Sequence, residues 1–403
     1  MFEYYTAGES HGPELTAIIK SLPAGLKINT EGINEELQRR QKGYGRGKRM
    51  EIERDKVEIT SGLRKGKTLG SPLTLKIKNK DWENWKNVMS IEKGCNSKTD
   101  KFVSEEVTKP RPGHADLAGG LKYGFSDLRN VLERASARKT AIRTAVGTVC
   151  RQFLSNVDIK IFSHVIQIGN IKAEKWKTIL AKSGEEFYYD NYFQKVEDSS
   201  LRCGNAQKTK EMKNLIDRWA AKGESVGGVF EIIVSGIPPG LGSYTHWDHR
   251  LDSRLSAALI SIPAIKGVEI GEAFTSAKSP GSKVHDQIYY QKKFGFYRSS
   301  NKAGGIEGGV SNGENIILKL AMKPIPTLSS PLNSVDIKSK KEIKAARERS
   351  DVCAVPSASI VGEAVTAIVI AQTFSEKFSG DNIGDIINNY NNYMSRIKKF
   401  NGG

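Results

Sequence analysis

The first part of the chain alternates short apolar stretches with turn residues. Residues 15–19 have the apolar and polar alternation of a strand, and a glycine-rich turn at 8–12 precedes them. Residues 33–40 have the spacing of a short helix. Two further runs, at 57–61 and 71–77, predict a hairpin of strands. The pattern therefore predicts a strand-rich N-terminal segment.

A change of pattern within residues 109–143 predicts a loop followed by a helix. Two prolines and Gly113 hold the first part in a turn, which presents His114. Apolar residues then recur at helical spacing without a proline, which predicts one helix from about residue 128 to about residue 153. This helix carries four arginines, namely Arg129, Arg134, Arg138 and Arg143. This stretch has two possible explanations. The arginines could bind a polyanion against the helix, or they could belong to an ordinary basic helix that faces solvent.

The chain repeats itself weakly from Gly223 onwards. When Gly8 is placed on Gly223 without gaps, glutamate, serine, glycine and proline positions coincide in order. A later register places Gly62 on Gly305. We expect two pseudo-repeated halves, each a set of strands followed by a long apolar helix. The predicted organisation is two halves at about 1–153 and 223–374, an insertion at about 155–222, and a polar C-terminal tail at 375–403.

One difference between the two copies singles out a histidine. Position 11 is histidine in the first copy and Val226 in the second. The turn therefore does not need an imidazole in order to fold. We predict that His11 has a catalytic role and is not there for packing.

Composition limits the class of protein. Hydrophobic residues make up 38% of the 403 residues, as in a folded globular protein. Lysine and arginine outnumber aspartate and glutamate by 62 to 45, which favours an anionic partner, either nucleic acid or a phosphorylated metabolite. The four cysteines lie far apart without a C-x-x-C pair, which argues against a zinc site or a disulfide framework and fits a reducing compartment.

The chain lacks the pattern of a targeting or membrane segment. The start, MFEYYTAGESHG, has no apolar core of a secretory signal. The most apolar run, residues 358–371, is too short to span a bilayer and contains Glu363. We expect a soluble, cytoplasmic protein with no membrane partner.

Two glycine-rich stretches are candidate ligand contacts. The loop at 41–50, QKGYGRGKRM, is compatible with a lid that brings Arg40 and Arg46 over an anionic ligand. It is equally compatible with an RGG-like nucleic-acid contact or a plain exposed linker. Glycines within residues 304–309 allow a ligand to approach the backbone closely.

Seven motifs in order resemble those of the chorismate synthase family. They are GESHG at 8–12, RRQKGYGRG at 39–47, RPGHAD at 111–116, ERASARKT at 133–140, GGIEGG at 304–309, KPIPT at 323–327 and RSDVCAVPSA at 349–358. The similarity extends from the first residues to about residue 374. Two positions depart from the family pattern: Lys139 stands where an acid is common, and His249 stands where arginine or lysine is usual.

The resemblance implies a fold and an activity. The implied fold class is α+β, a β-α-β sandwich with helices between antiparallel sheets, assembled as a homotetramer. The implied reaction is the last step of the shikimate pathway in aromatic amino-acid biosynthesis. It is a 1,4-anti elimination of phosphate from 5-enolpyruvylshikimate 3-phosphate that gives chorismate. The family needs reduced FMN, and either NADPH bound by the enzyme or a separate flavin reductase would reduce that cofactor.

The resemblance also implies catalytic residues. His11 resembles the acid that assists phosphate departure, and His114 resembles the group that keeps reduced flavin in its reactive protonation state. Asp351 is similar to the family carboxylate near flavin N5, where it would help N5 take the ring proton. Ser10 and Ser136 match further catalytic positions.

The same resemblance implies binding residues for FMN and for a second anionic ligand. Arg40 and Arg46 match arginines assigned to the reduced nucleotide or to the substrate phosphate. The positions that match FMN contacts are Arg134, Ala135, Ser136, Pro263, Ala264, Gly308, Lys323, Pro324, Ile325, Pro326, Thr327 and Arg349.

Two other classes of protein share some of these features. A conventional flavin oxidoreductase would need a nicotinamide site, and the chain has no G-x-G-x-x-G fingerprint between a strand and a helix. A nucleic-acid-binding protein would explain the charge, but the chain has no RNP aromatic pair or C-x-x-C finger. No metal site is predicted, because the spacing of His246, His249 and Asp252 also suits an ordinary solvated face.

Overall fold

Two antiparallel sheets enclose a layer of helices. The structure is a computed structural model that describes residues 2–47, 55–92, 106–183, 189–293, 295–346 and 351–402. The strands are β1 (Glu3–Ala7), β2 (Glu14–Lys20), β3 (Val57–Ser61), β4 (Leu63–Arg64), β5 (Lys67–Thr68), β6 (Leu73–Lys78), β7 (Lys160–Ile168), β8 (Ile171–Lys172), β9 (Gly228–Ser235), β10 (Ile265–Ile270), β11 (Ile288–Gln291), β12 (Gly295–Arg298), β13 (Ile306–Glu307), β14 (Val310–Ser311), β15 (Ile316–Met322), β16 (Asn333–Val335) and β17 (Glu342–Lys344). The α-helices are α1 (Thr30–Gln41), α2 (Trp82–Trp85), α3 (Asp116–Tyr123), α4 (Arg129–Ala135), α5 (Thr140–Leu154), α6 (Trp176–Ser183), α7 (Tyr189–Asp198), α8 (Ala206–Ala221), α9 (Leu251–Ile260), α10 (Ala273–Ser276), α11 (Val355–Lys377) and α12 (Ile383–Phe400).

The first sheet has the strand order β1-β2-β6-β3, and each neighbouring pair is antiparallel. Successive side chains of a strand point to opposite faces, so every second residue can face the helices. Leu15, Ala17 and Ile19 of β2 are buried in this way. On the other face, Lys76 of β6 forms an ion pair with Glu14. The alternation seen in the sequence therefore determines which face of this sheet is buried.

The second sheet has the order β10-β15-β9-β7-β8 and is also antiparallel. Its central strand β9 is buried on both faces, because Ile233 packs against Trp176 and Phe193 on the side away from the helix layer. A strand covered on both faces consists of a nearly continuous apolar run, as β9 does. β7, which falls in the stretch expected to be an insertion, is an internal strand of this sheet.

Helices α5 and α11 form the centre of the middle layer. α5 contacts β2 and β6 of the first sheet, whereas α11 contacts β7 and β9 of the second. The two helices cross closely at Gly147, where a Cβ atom would lie 2.5 Å from the Cα atom of Ala364. α1 packs beside α5, and α9 packs beside α11. This layering confirms the predicted α+β class and its β-α-β sandwich.

Helix α11 is longer than the apolar run suggests. It has 23 residues and is long and apolar enough to cross a membrane, but 94% of its most apolar window is buried inside the protein. A helix that is apolar all round is expected at the centre of a large protein as well as in a bilayer. The apolar character of α11 is therefore explained by its place between the sheets.

The two sheets share one connectivity. The order β1-β2-β6-β3 in the first sheet is matched by β7-β9-β15-β10 in the second. The hairpins β4–β5 and β13–β14 also occupy matching places. The Thr68 hydroxyl donates a hydrogen bond to the carbonyl oxygen of Pro23 at 2.6 Å. The Ser311 hydroxyl donates one to that of Pro238 at 2.7 Å. Two related halves would produce this connectivity.

The single helix predicted from residue 128 to residue 153 is wrong. α4 ends at Ala135, a 3-10 turn spans Ala137–Lys139, and α5 begins at Thr140. Between them Ser136 has φ −57° and ψ 146°, and its hydroxyl accepts a hydrogen bond from the backbone N–H of Arg138 at 3.2 Å. A serine side chain can replace helical hydrogen bonds in this way, and apolar spacing does not reveal it.

The polar C-terminal tail contains helix α12, which packs on the rest of the fold. The Asn382 side chain caps this helix by accepting a hydrogen bond from the N–H of Asp385 at 3.0 Å. Ile386 is buried, and the Tyr393 hydroxyl donates to the carbonyl oxygen of Pro239 at 2.9 Å. The tail is therefore an ordered part of the structure.

Candidate active site

The turn between β1 and β2 presents His11, which is buried. Its Nδ1 atom lies 2.8 Å from Oε1 of Glu133, and its backbone N–H donates to Oε2 at 2.8 Å. The imidazole stacks on Trp85 with ring centroids 3.7 Å apart. Burial alone would raise the pKa of Glu133, but hydrogen bonds from His11 and the charges of His11 and Arg129 lower it. His11 is thus held between an ionised carboxylate and an indole.

The end of α4 is tied to the same turn. The Arg134 guanidinium donates hydrogen bonds to the carbonyl oxygens of Gly8 at 2.9 Å and Thr6 at 3.1 Å. The N–H of Ser10 donates to the carbonyl oxygen of Glu133 at 3.1 Å. The predicted residues Ser10, His11, Arg134, Ala135 and Ser136 are therefore brought together where α4 ends.

Three cations lie around the start of α5. Burial lowers the pKa of Lys139, and repulsion from Arg134 and Arg143 lowers it further. The Nε atom of Arg143 is buried and has no hydrogen-bond partner among the residues that the structure describes. The N-terminus of a helix adds partial positive charge and exposed N–H groups. This concentration of positive charge is suited to a bound anion.

Arg40 reaches the same helix end from the last turn of α1. Its Nε donates to Oγ1 of Thr140 at 3.0 Å, and its Nη2 donates to the carbonyl oxygen of Ala137 at 3.2 Å. Arg138 donates to Oδ2 of Asp55 at 2.6 Å, and Nη1 of Arg40 lies 3.8 Å from that oxygen. Arg40 is buried. It therefore belongs to the wall of the site and not to an exposed loop.

Arg46 and Asp351 form an ion pair in front of α11. Nη1 of Arg46 lies 3.0 Å from Oδ2 of Asp351, whose Oδ1 accepts a hydrogen bond from the N–H of Gly47 at 2.7 Å. The N–H of Val352 donates to the carbonyl oxygen of Gly45 at 2.8 Å. The glycine-rich loop is thus attached to the segment that leads into α11, and its last residues, 48–50, lie outside the described residues.

His114 lies in a second polar cluster at the start of α3. Its Nδ1 is 2.5 Å from Oδ1 of Asp116, and Nε of Arg111 donates to Oδ2 of the same carboxylate at 2.8 Å. Burial alone would raise the pKa of Asp116, but hydrogen bonds from His114 and Arg111 lower it strongly. His114 therefore faces a carboxylate that stays ionised at neutral pH.

The KPIPT segment at 323–327 adjoins the His114 loop. Thr327 accepts a hydrogen bond from Nη1 of Arg111 at 3.1 Å, and Nζ of Lys323 donates to the carbonyl oxygen of Gly113 at 2.6 Å. The N–H of Lys323 donates to the carbonyl oxygen of Ala264 at 2.9 Å, which brings in the predicted residues Pro263 and Ala264. Ala264 has φ 66°, a left-handed conformation that is uncommon for alanine.

Two contacts join the parts of the site. The Arg143 side chain donates to the Ser261 hydroxyl at 3.1 Å, which links α5 to the loop before β10. α3 packs directly on α4, where a Cβ atom on Gly119 would lie 2.4 Å from Cγ1 of Val131. The carboxylates of the two histidine clusters, Asp116 of α3 and Glu133 of α4, thus lie on neighbouring helices.

Two predicted FMN positions do not join this cluster. Arg349 lies outside the described residues. Gly308 lies in the hairpin before β15, whereas Lys323 follows its last residue, and the seven residues of β15 span about 20 Å. Glu307, beside Gly308, lines a separate cavity of about 350 Å³ together with His285 and Lys302. Within one chain, Gly308 is remote from the other predicted residues.

Sequence reasoning missed four residues of the site. Glu133 and Asp116 lie inside two of the motifs, ERASARKT and RPGHAD, and neither was given a role. Arg111 lies in the second motif as well, and Trp85 lies outside all seven motifs. Asp116 could have been identified, because it stands two residues after His114 in the same motif. Glu133 is 122 positions from His11, and its own motif contains no histidine, so the sequence offers no signal for this contact.

A family model for chorismate synthase matches residues 2–374. This chain belongs to the chorismate synthase family. The chorismate synthase of Aquifex aeolicus is 51% identical over 403 residues, which cover 98% of each chain. That of Geotalea uraniireducens is 52% identical over 414 residues and is matched along 100% of its length and 99% of this chain. A crystal structure of a chorismate synthase has a TM-score of 0.78 and 42% identity, and the match covers 99% of this chain and 98% of that one. The resemblance based on seven motifs is confirmed.

Proposed function

We propose that this protein converts 5-enolpyruvylshikimate 3-phosphate to chorismate with reduced FMN as its cofactor. Membership of the chorismate synthase family is the basis for the reaction. The observation that carries the proposal is a group of three cations, Arg134, Lys139 and Arg143, for which the described residues provide no ion pair. Arg134 also holds the turn that carries His11. A phosphorylated substrate and a flavin phosphate both need such charge, together with backbone N–H groups.

The residues around α5 fit a phosphorylated cofactor. The buried Nε of Arg143, which lacks an acceptor among the described residues, is the kind of donor that an anion would satisfy. The residues that would hold FMN are Arg134, Ala135, Ser136, Pro263, Ala264, Lys323, Pro324, Ile325, Pro326, Thr327 and Arg349. When bound, reduced FMN supplies the base, at N5, that takes the ring proton. Asp351 would lie near that atom.

His11 would give a proton to the leaving phosphate. In this elimination the C–O bond to phosphate breaks, phosphate leaves with the electron pair, and a ring C–H bond is lost as a proton while the new double bond forms. A positioned proton donor lowers the cost of the departing charge. His11 suits this role because histidine is the side chain that most readily exchanges protons near neutral pH. Ser10 precedes it in the same turn, and Ser136 follows the end of α4.

His114 would control the protonation of the reduced cofactor. Its contact with Asp116 holds the imidazole toward an ionised carboxylate, and Arg111 holds that carboxylate in place. The Lys323 bond to Gly113 fixes the loop that carries His114 against the proposed FMN segment. The loop is therefore pre-organised for a ligand bound at residues 323–327.

Arg40 and Arg46 would bind the substrate phosphate or the nicotinamide nucleotide that reduces FMN. Arg46 is paired with Asp351, so an anion that binds Arg46 would also change the surroundings of this carboxylate. Binding NADPH here would make the enzyme bifunctional. If it is not bound, a separate flavin reductase would supply reduced FMN.

The proposed assembly is a homotetramer located in the cytoplasm. Gly308 would join the FMN site only if another copy of the chain supplied it, because it is remote from the other residues within one chain. A solution mass of about four chain masses, measured by light scattering, would support the tetramer. A monomer that is fully active would remove Gly308 from the proposed site.

The test of the function is chorismate formation by the purified protein under anaerobic conditions. One assay contains chemically reduced FMN, and a parallel assay contains oxidised FMN with NADPH. Product with reduced FMN alone is expected of a monofunctional enzyme, and product in both assays indicates intrinsic flavin reduction. No product in either assay, with FMN shown to bind, would contradict the proposed reaction. NADPH oxidation without chorismate would favour a conventional flavin oxidoreductase.

A further inference from the structure

Glu133 contacts both the backbone and the side chain of His11. Its carboxylate Oε2 accepts the His11 backbone N–H at 2.8 Å, and the imidazole Nδ1 lies 2.8 Å from Oε1 and 3.0 Å from Oε2. The Glu133 side chain is 1% exposed, so little water competes for these bonds. Arg129 lies 3.5 Å from Oε1 and shares the same carboxylate.

These contacts determine which imidazole nitrogen carries a hydrogen toward Glu133. An ionised carboxylate only accepts hydrogen bonds, so Nδ1 must be the donor in this pair. The nitrogen on the opposite side of the ring, Nε2, is then the atom that exchanges a proton with a ligand. Carboxylates set the tautomer of functional histidines in this way in other proteins.

Trp85 limits the orientation of the same ring. The indole stacks on the imidazole at an interplanar angle of 22°. The indole is held in turn by its Nε1–H, which donates to Oδ2 of Asp81 at 2.9 Å, and by Arg129, whose Cζ lies 5.4 Å from the ring centroid. A flipped imidazole would place a carbon atom against the carboxylate, so the observed orientation is favoured.

We propose that Glu133 is a positioning residue of the reaction, which holds His11 with Nδ1–H toward itself and Nε2 as the donor to the leaving phosphate. This inference rests on the proposed role of His11. Glu133 does not itself exchange a proton with the substrate. Its effect on turnover therefore has to pass through the imidazole, and this requirement separates it from a purely structural carboxylate.

A second buried pair in the same chain provides a matched control. His164 Nε2 lies 3.0 Å from Oε2 of Glu231, and the Tyr192 hydroxyl lies 2.9 Å from His164 Nδ1. This pair lies in the second sheet, between β7 and β9, away from the candidate site. Glu231→Gln removes the carboxylate charge beside a buried histidine, as Glu133→Gln does. It therefore shows how much activity is lost through destabilisation of the fold alone.

The experiment is a double-mutant cycle with Glu133→Gln and His11→Ala, assayed anaerobically with pre-reduced FMN. We expect Glu133→Gln to lower kcat by about 10–100-fold, the loss seen when the hydrogen-bond partner of a metal-bound histidine is removed. The KM for substrate and FMN binding should stay unchanged. In the His11→Ala background Glu133→Gln should lower kcat no further, because the group through which it acts is gone. Glu231→Gln should retain wild-type kcat.

Each result decides between a positioning role and a structural one. An equal loss from Glu133→Gln with and without His11 would overturn the proposal, because the carboxylate would then act only on the fold. Wild-type turnover of Glu133→Gln would overturn it as well. Unchanged turnover of His11→Ala alone would show instead that the proposed function of His11 is wrong.

A second variant covers failure of Glu133→Gln to fold. Glu133→Asp keeps the charge and shortens the side chain by one methylene, so it can still accept the backbone N–H of His11. The ¹⁵N shifts of the His11 ring would report the tautomer directly in this variant. A lower kcat together with a mixed tautomer would support the proposal, and a lower kcat with the Nδ1–H tautomer intact would contradict it.

Discussion

At the scale of residues, each of the two predicted catalytic histidines faces an ionised carboxylate. Glu133 holds His11, and Asp116 holds His114. Neither carboxylate was assigned a role from the sequence. The contact between residues 11 and 133 depends on how β1 and α4 pack, whereas Asp116 is only two residues from His114. The histidines themselves could be predicted, since they lie in glycine- and proline-containing turns within recognisable motifs.

Replacing either histidine should reduce turnover without preventing folding. We expect His11→Ala and His114→Ala each to lower kcat by about 10²–10⁴-fold, the usual contribution of a positioned acid or base. FMN binding, followed by flavin absorbance, should persist. His285→Ala removes an exposed histidine outside the site and should leave kcat at the wild-type value. Wild-type turnover in both site variants would contradict the proposed roles.

Lys139 is a residue whose charge costs stability until an anion binds. Its pKa is lowered by burial and by Arg134 and Arg143, so the charged form is disfavoured in the folded state. The cost is present at neutral pH and is relieved only as the pH rises through the lowered pKa.

Lys139→Gln should therefore raise the melting temperature of the ligand-free protein by about 1–3 °C in low salt, and less in high salt. In the presence of inorganic phosphate, the variant should gain less stability than the wild type. Lys160→Gln, at an exposed lysine of the second sheet, is the control. A lower melting temperature for ligand-free Lys139→Gln would contradict the repulsion argument.

At the scale of elements, the break at Ser136 and a buried ionic network set the positions of the site helices. The break lets α4 end beside the His11 turn, while α5 begins beside Arg40. The network centres on Glu363 of α11. Its carboxylate accepts hydrogen bonds from Arg151 of α5 at 2.8 Å, from Arg202 at 2.9 Å and from Arg39 of α1 at 3.2 Å. These bonds join the helices that carry Arg40 and Thr140.

Glu363→Gln should destabilise the protein by about 3–5 kcal/mol, as expected when one partner of a buried ionic group is removed and the others stay charged. Burial alone would raise the pKa of Glu363, but Arg39, Arg202 and Arg151 lower it, so it is charged at neutral pH. The measurement is the free energy of unfolding in urea at fixed protein concentration. Glu83→Gln, at an exposed pair with Lys86, should cost less than about 1 kcal/mol. Equal losses in both variants would contradict the importance of burial.

At the scale of the whole molecule, two sheets of the same connectivity place the helices and loops that form the site. The predicted division into two halves, about 1–153 and 223–374, stays a prediction, and we infer from the shared strand order that β7 takes the place of β1 in the second half. Several buried carboxylates with lowered pKa hold this arrangement together: Asp116, Glu133, Glu231 and Glu363.

Because these buried carboxylates are ionised in the folded protein, we expect the protein to lose stability in acid. A group whose pKa is lower in the folded state contributes stability above its unfolded pKa and loses that contribution as the pH falls through the folded pKa. We expect the melting temperature to fall steeply once the pH drops below about 4.5, the ordinary value for glutamate. Glu231→Gln lacks one contribution at neutral pH, so its melting temperature should start lower and fall less. A flat profile down to pH 3 would contradict this account.

The sequence by itself determined the strands near 15–19, 57–61 and 71–77, the helix near 33–40 and the turns that carry His11 and His114. Alternation decided the buried face of the first sheet, and proline and glycine placed His114 in a turn. These features are local, because they depend on residues a few positions apart. The sandwich class and the family were also accessible, since the motifs recur in a defined order.

Only the tertiary structure decided which residues meet. The helix break at Ser136 depends on a side-chain hydrogen bond that competes with helical spacing. The contacts of Glu133 with His11 and of Arg46 with Asp351 join residues 122 and about 300 positions apart, and no local pattern specifies them. Gly308 and Lys323 are likewise separated because β15 runs between them and places them at its opposite ends. Long-range packing of α4, α5 and α11 between two sheets therefore determined the geometry of the site.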